Sequence, residues 1–148
     1  MAAPKISRNT AGDDSGESVS LSWFFEDERT RPLDAVLDLV AESGATVPGL
    51  WPLEVASALL VAFRRARIST AFRHQAIERL TRLPIAIDLE MNTRAWTSTL
   101  PLAEKTELSV YDVAYLELAI RLNLPSASAD RKLCDAGKRA GVPLIATV

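Results

Sequence analysis

Residues 108–145 read LSVYDVAYLELAIRLNLPSASADRKLCDAGKRAGVPLI, and the fold is decided here. Apolar residues recur at helical spacing from about Ser109 to Leu122, and the small residues Ser126 to Ala129 then form a strand candidate. Asp130 to Ala140 is a second helix closed by Gly141, with a final strand over Pro143 to Val148. Parallel strands need crossovers of this kind, so the pattern predicts an α/β protein with a parallel sheet.

The same alternation continues upstream. Ala45 to Val47 is a short buried strand, followed by the turn PGLWP and an apolar helix from about Leu53 to Arg65. Ser69 to Leu83 fits an antiparallel helical neighbour, and Pro84 to Ile87 a second strand, after which Asp88 caps a helix through Trp96 toward Leu102. Nearer the start, Val19 to Phe25 suits a short helix ended by EDE and Pro32, with another helix over Leu33 to Ala41. Residues 1–18 hold Asn9, Gly12, Asp13, Asp14, Gly16 and several serines, with Ile6 the one large apolar residue, which predicts a flexible tail.

With 148 residues, 48% of them apolar and 24% charged, the chain is sized for one domain with a full core. Cys134 is the single cysteine, so no internal disulfide forms and a buried structural thiol in a reducing cytosol is expected. No apolar run is long enough to span a bilayer and MAAPKISRNT lacks the apolar core of a secretory signal, so the expected location is cytoplasmic with no membrane partner. A net charge of −2 leaves nucleic-acid binding to a local basic patch or to bound metal.

Three acids, Glu54, Asp112 and Asp130, open helices in this scheme. Helical spacing puts Asp112 within about 60° of Tyr115, Leu116 and Ala119, while Glu117 and Arg121, an i, i+4 pair, read as the solvent face, so Asp112 points inward. Ser109 to Asp112 also spells a capping box. Glu54 follows Pro52 and shares a stripe with Ala58 and Val61, and complementing the helix dipole is the alternative reading of an acid in a first turn. Asp130 is an N-cap by sequence. Jointly, the three sit where an α/β fold gathers functional groups, and like-charged carboxylates at one edge repel unless a cation binds. Mg²⁺ or Mn²⁺ is the natural cation.

Arg64, Arg65, Arg67, Arg73, His74, Arg79 and Arg82 form the strong positive series, either a grip on phosphates or a solvated face. His74 reads as a surface residue. Trp23, Phe24, Phe25, Trp51 and Trp96 read as core or dimer-interface aromatics.

SVSLSWFFEDE (18–28), VPGLWPLEVASALL (47–60), LSVYDVAYLELAIRLNLP and SASADRKLCDAGKRAGVPLI together resemble the PIN-domain ribonucleases, specifically the VapC-type toxins of toxin–antitoxin systems, over about residues 18–146. The resemblance implies a PIN-like three-layer α/β/α fold with a central, mainly parallel sheet. It also implies Mg²⁺-dependent cleavage of an RNA substrate, a homodimer and a cognate VapB-like antitoxin. By position Glu54, Asp112 and Asp130 match the second, third and fourth acids of the family, and Ser128 falls where a threonine or serine lines the site. Arg64 and Arg65 stand as substrate-binding candidates. Family members open with an apolar strand ending in Asp-x-Ser. Here Ser18 matches the serine, Gly16 occupies the aspartate position, and NTAGDDS (9–15) lacks the β-branched run of a central strand. Asp14, or Asp13, is the substitute metal ligand if the chain loops back. The division is then an atypical segment over 1–17 and a PIN-like domain over 18–148, with the first strand missing or degenerate.

The expected activity is that of a metal-dependent endoribonuclease toxin, with a catalytically impaired PIN-like module that binds antitoxin or self-associates as the alternative. A haloacid-dehalogenase-like phosphatase fits less well, because no Asp-x-Asp motif follows an initial apolar strand.

Overall fold

The computed structural model describes residues 3–4, 23–25, 30–128 and 130–145, residues 3–4 by their backbone alone. It is a mixed α/β protein, mostly helical, with short parallel strands. Strand β1 (Ala3–Pro4) is followed by α1 (Arg31–Ser43), β2 (Ala45–Pro48), α2 (Trp51–Arg64), α3 (Thr70–Arg82) and β3 (Ile85–Asp88). Helix α4 (Met91–Arg94) runs through a π-helical stretch, Ala95–Thr99, into α5 (Leu100–Thr106). Then come α6 (Val110–Leu122), β4 (Ser126–Ala127), α7 (Arg131–Arg139) and β5 (Leu144–Ile145).

Local chemistry sets the helix ends. The Thr30, Ser69, Ser109 and Asp130 side chains accept from the backbone N–H three residues on, at Leu33, Phe72, Asp112 and Leu133, opening α1, α3, α6 and α7. Gly44 (φ 74°) ends α1 in a conformation that a Cβ would strain, which lets the chain turn straight into β2. Asn123 ends α6 in the left-handed region at φ 53°.

The strands pair in parallel. β2 and β3 align Ala45 with Ile85 through Pro48 with Asp88, and β4 takes β1 on one side and β5 on the other. The strands thus make a three-stranded sheet, β1, β4, β5, and a two-stranded one, β2 and β3, with β1 lying near β2. One apolar cluster gathers Val36, Val40, Val47, Trp51, Leu59 and Leu80 from α1, β2, α2 and α3. A second joins α6 and α7 through Tyr115, Leu116, Ala119, Leu133 and Ala136. Among the described residues no helix is long and apolar enough to cross a membrane.

Several expectations need correction. Ala3–Pro4 pairs with Ser126–Ala127 as a two-residue strand, inside the segment expected to be a flexible tail. Residues 19–22 of the expected first helix lie outside the described residues, and Trp23 and Phe24 form a turn, held to α1 by the Trp23 indole N–H donating to the Leu33 carbonyl at 3.1 Å. Asp88 ends β3 and does not cap the next helix, whose N-cap is Glu90. Trp96 is no core residue, being 87% exposed on the π-helical stretch.

The largest revision concerns Glu117 and Arg121, which do not face solvent. Arg121 is 11% exposed and donates to Asp88 at 2.6 and 3.3 Å, to Glu117 at 2.9 and 3.3 Å and to Glu90 at 2.8 Å. Hydrogen bonding to Asp88 leads in raising the Arg121 pKa above its ordinary value, so the guanidinium is a permanent charge here. It ties the end of β3 and the start of α4 to the C-terminal half of α6.

Candidate metal centre

Glu54 lies in the first turn of α2, just after β2, and Asp112 in the first turn of α6. Tyr115, one turn beyond Asp112, links them: its hydroxyl donates to Glu54 Oε1 across 61 residues of sequence. Tyr115 is only 2% exposed and Asp112 5%. Burial is the first cause that pushes the Tyr115 hydroxyl far above its ordinary value of 10.0, followed by the charge of Glu54, the hydrogen bond to it and the charge of Asp112. The phenol therefore keeps its proton and serves Glu54 as a donor. The hydroxyl thus has the Glu54 carboxylate as its acceptor, and the Asp112 charge acts on it more weakly.

Asp130 sits at the β4–α7 junction and is buried. Its Oδ1 accepts from the Leu133 N–H at 3.1 Å, while its own N–H donates to Ser128 Oγ at 3.0 Å. The Cys134 thiol donates to the Ser128 carbonyl at 3.3 Å, so the half-buried cysteine has a structural partner. Ser128, the expected lining serine, is thus joined to Asp130.

Among the described residues no group of three or more His, Cys, Asp or Glu side chains is close enough to hold a metal ion. The structure joins Glu54 to α6 through Tyr115, three residues after Asp112, and does not gather Glu54, Asp112 and Asp130 into one such group. Two carboxylates still fit Mg²⁺, which is commonly bound through one or two carboxylates together with water and substrate phosphate. Asp13, Asp14, Gly16 and Ser18 lie outside the described residues.

Arg64 and Arg65 are exposed at the far end of α2, roughly 15 Å along the axis from Glu54. Other members of the basic series rest on aromatic rings: Arg67 over Phe25 at 4.1 Å, Arg73 over Phe63 at 5.2 Å and Arg79 over Phe24 at 5.9 Å. Phe25 in turn stacks on Phe72 with centroids 5.5 Å apart. His74 is exposed, as expected.

Tyr115 is the site residue that the sequence concealed, because at helical spacing it reads as part of an apolar face. The available signal was its position three residues after Asp112, on the same side of the helix. Compared with models of known families, with curated proteins and with solved structures, the chain finds no match.

Proposed function

We propose that the chain is a Mg²⁺- or Mn²⁺-dependent endoribonuclease of the PIN type, acting as the VapC-like toxin of a toxin–antitoxin pair. One observation carries the reading, the hydrogen bond from the buried Tyr115 hydroxyl of α6, one turn after Asp112, to Glu54 of α2. The parallel strands, with helices beginning beside their carboxyl ends, agree with a PIN-like three-layer α/β/α arrangement. In such sheets ligands bind at that edge.

Glu54 and Asp112 would hold the ion, with Asp130 and, from the N-terminal segment, Asp14 as further acids. When bound, Mg²⁺ or Mn²⁺ supplies Lewis acidity toward a phosphoryl oxygen and toward water. The chain's own part is to aim the two carboxylates: Tyr115 holds Glu54 by its hydrogen bond, and Ser109 fixes the first turn that carries Asp112. RNA is the proposed substrate, with Ser128, Arg64 and Arg65 as contacts, and a VapB-like antitoxin and a second copy of the chain are the proposed partners in the cytoplasm.

The test is cleavage of single-stranded RNA by the purified full chain with Mg²⁺ or Mn²⁺ and with chelator. Asp112→Asn is expected to abolish metal-dependent cleavage, and equal activity in that variant refutes the assignment. A second reading, a PIN-like module that binds antitoxin or self-associates without cutting RNA, draws on the lack, among the described residues, of three acids close enough to hold a metal ion. It predicts neither calorimetric binding of Mn²⁺ nor cleavage by the wild-type chain.

A further inference from the structure

The first turn of α6 brings an aromatic ring out to solvent beside the candidate acids. Residues 112–119 of this helix are buried without a break, whereas Val110 and Tyr111 just before them are 41% and 56% exposed. At about 100° per residue, Tyr115 lies about 40° round the helix from Tyr111, and Asp112 about 100° in the same sense, so Tyr115 falls between the two. The Tyr115 hydroxyl reaches Glu54, which sets that carboxylate in the same sector. Side chains lean toward the N-terminus of their helix, and Tyr111 is one turn nearer that end than Tyr115. Tyr111 therefore stands on the solvent side of the Glu54–Tyr115 contact, with Asp112 as its next neighbour in the chain.

The surroundings indicate what such a ring takes. No cation lies within three residues of Glu54 (WPLEVAS, 51–57) or of Asp112 (SVYDVAY, 109–115). The exposed neighbours of the two acids are apolar instead: Leu53, 75% exposed, before Glu54, and Val110 and Tyr111 before Asp112. A phosphate held by an ion at these acids would meet uncharged side chains around it, and the part of a nucleotide that suits a flat, uncharged surface is the base. Unpaired bases stack on tyrosine rings, whereas bases in a duplex stay stacked on one another. Packing gives Tyr111 no comparable task. Helix α6 is held by the Ser109 cap, by the Tyr115 hydroxyl and by the apolar cluster of Tyr115, Leu116 and Ala119, none of which includes Tyr111.

We propose that Tyr111 is a base-stacking residue, receiving an unpaired nucleobase next to the phosphate that the ion would hold. The inference rests on the nuclease reading, and its test separates the two. Binding of a labelled single-stranded RNA of about ten nucleotides to the full chain is followed by fluorescence anisotropy in chelator, with circular dichroism to confirm that each variant is folded. Tyr111→Ala is expected to weaken binding about 5–100-fold, as loss of one stacked base does, and Tyr111→Leu by nearly as much, while Tyr111→Phe stays within about twofold of the wild type. Leucine binding like the wild type would make the contact merely apolar, and phenylalanine failing like alanine would put the hydroxyl in place of the ring; either result overturns the proposal. Trp96→Ala removes an 87% exposed ring that adjoins none of the three acids in sequence and should change nothing, and a loss there equal to that of Tyr111→Ala overturns the placement. A wild-type chain that does not bind the RNA overturns the proposal outright. Cleavage with Mg²⁺ is read separately. If the wild type cuts RNA and Tyr111→Ala binds it equally well, this inference alone falls; if the wild type neither binds nor cuts, the nuclease reading falls with it.

Discussion

Replacing Arg121 with methionine tests whether the ion cluster around it is a structural centre. Methionine keeps much of the aliphatic length and removes all five N–H···O contacts to Asp88, Glu117 and Glu90. Asp88 and Glu117, 9% and 8% exposed, would then lie buried beside each other without the guanidinium, whereas Glu90, 55% exposed, returns to water. Stranding a buried charge in this way costs about 3–5 kcal/mol, while loss of the exposed Glu90 contact costs about 1 kcal/mol or less. Against a total stability on the order of 5–15 kcal/mol, Arg121→Met should remove about a fifth or more. Urea unfolding at neutral pH measures it, with Glu90→Gln as the control expected to shift by less than about 1 kcal/mol. If Arg121→Met costs no more than that control, the cluster is a surface pair and the argument for a buried hub fails.

Tyr115→Phe removes the donor to Glu54 and should weaken Mn²⁺ binding by calorimetry about 10–100-fold, as loss of an outer-shell partner does; unchanged affinity would show that the hydroxyl does not orient the carboxylate. Because the folded chain raises the Tyr115 pKa above 10.0, its contribution to stability is complete below pH 10 and is lost as pH rises beyond that. The unfolding midpoint should therefore fall above pH 10 more steeply in the wild type than in Tyr115→Phe, and parallel curves would contradict this. Asp130→Asn preserves an N-cap of similar quality, so its stability should stay within about 0.5 kcal/mol while Asp130→Ala loses roughly 1 kcal/mol in thermal unfolding. Equal losses in the two would mean that the charge, not the cap, is what α7 needs.

The segment from Ser109 to Ile145 was legible because its signals are local. Ser109 and Asp130 cap the helices they precede, and Asn123 and Pro125 stop α6 within a residue of the expected end. Glu54 and Asp112 could be singled out because each interrupts a face that helical periodicity otherwise makes apolar. The Arg121 cluster was hidden for the opposite reason. Glu117 and Arg121 have the spacing of a solvent-exposed pair, and only the arrival of Asp88 at the end of β3, some thirty residues earlier in the chain, turns them inward. Trp96 was open to a core or a dimer-interface reading, and its 87% exposure on the π-helical stretch removes the core one.

Capping and metal binding were set against each other as rival readings of the helix-opening acids, yet the geometry makes them compatible. An ionised carboxylate accepts through two oxygens and about four lone-pair positions. Asp130 commits Oδ1 to the Leu133 N–H, which fixes the rotamer of the side chain. Glu54 commits Oε1 to Tyr115 in the same manner. Each bond orients a carboxylate without exhausting it, and orientation by a second group is what a functional acid requires. Tyr115 adds an electrostatic element, because a neutral donor beside Glu54 and Asp112 eases their mutual repulsion. Folding alone therefore orients Glu54, and the divalent ion proposed above would meet that carboxylate already held by Tyr115.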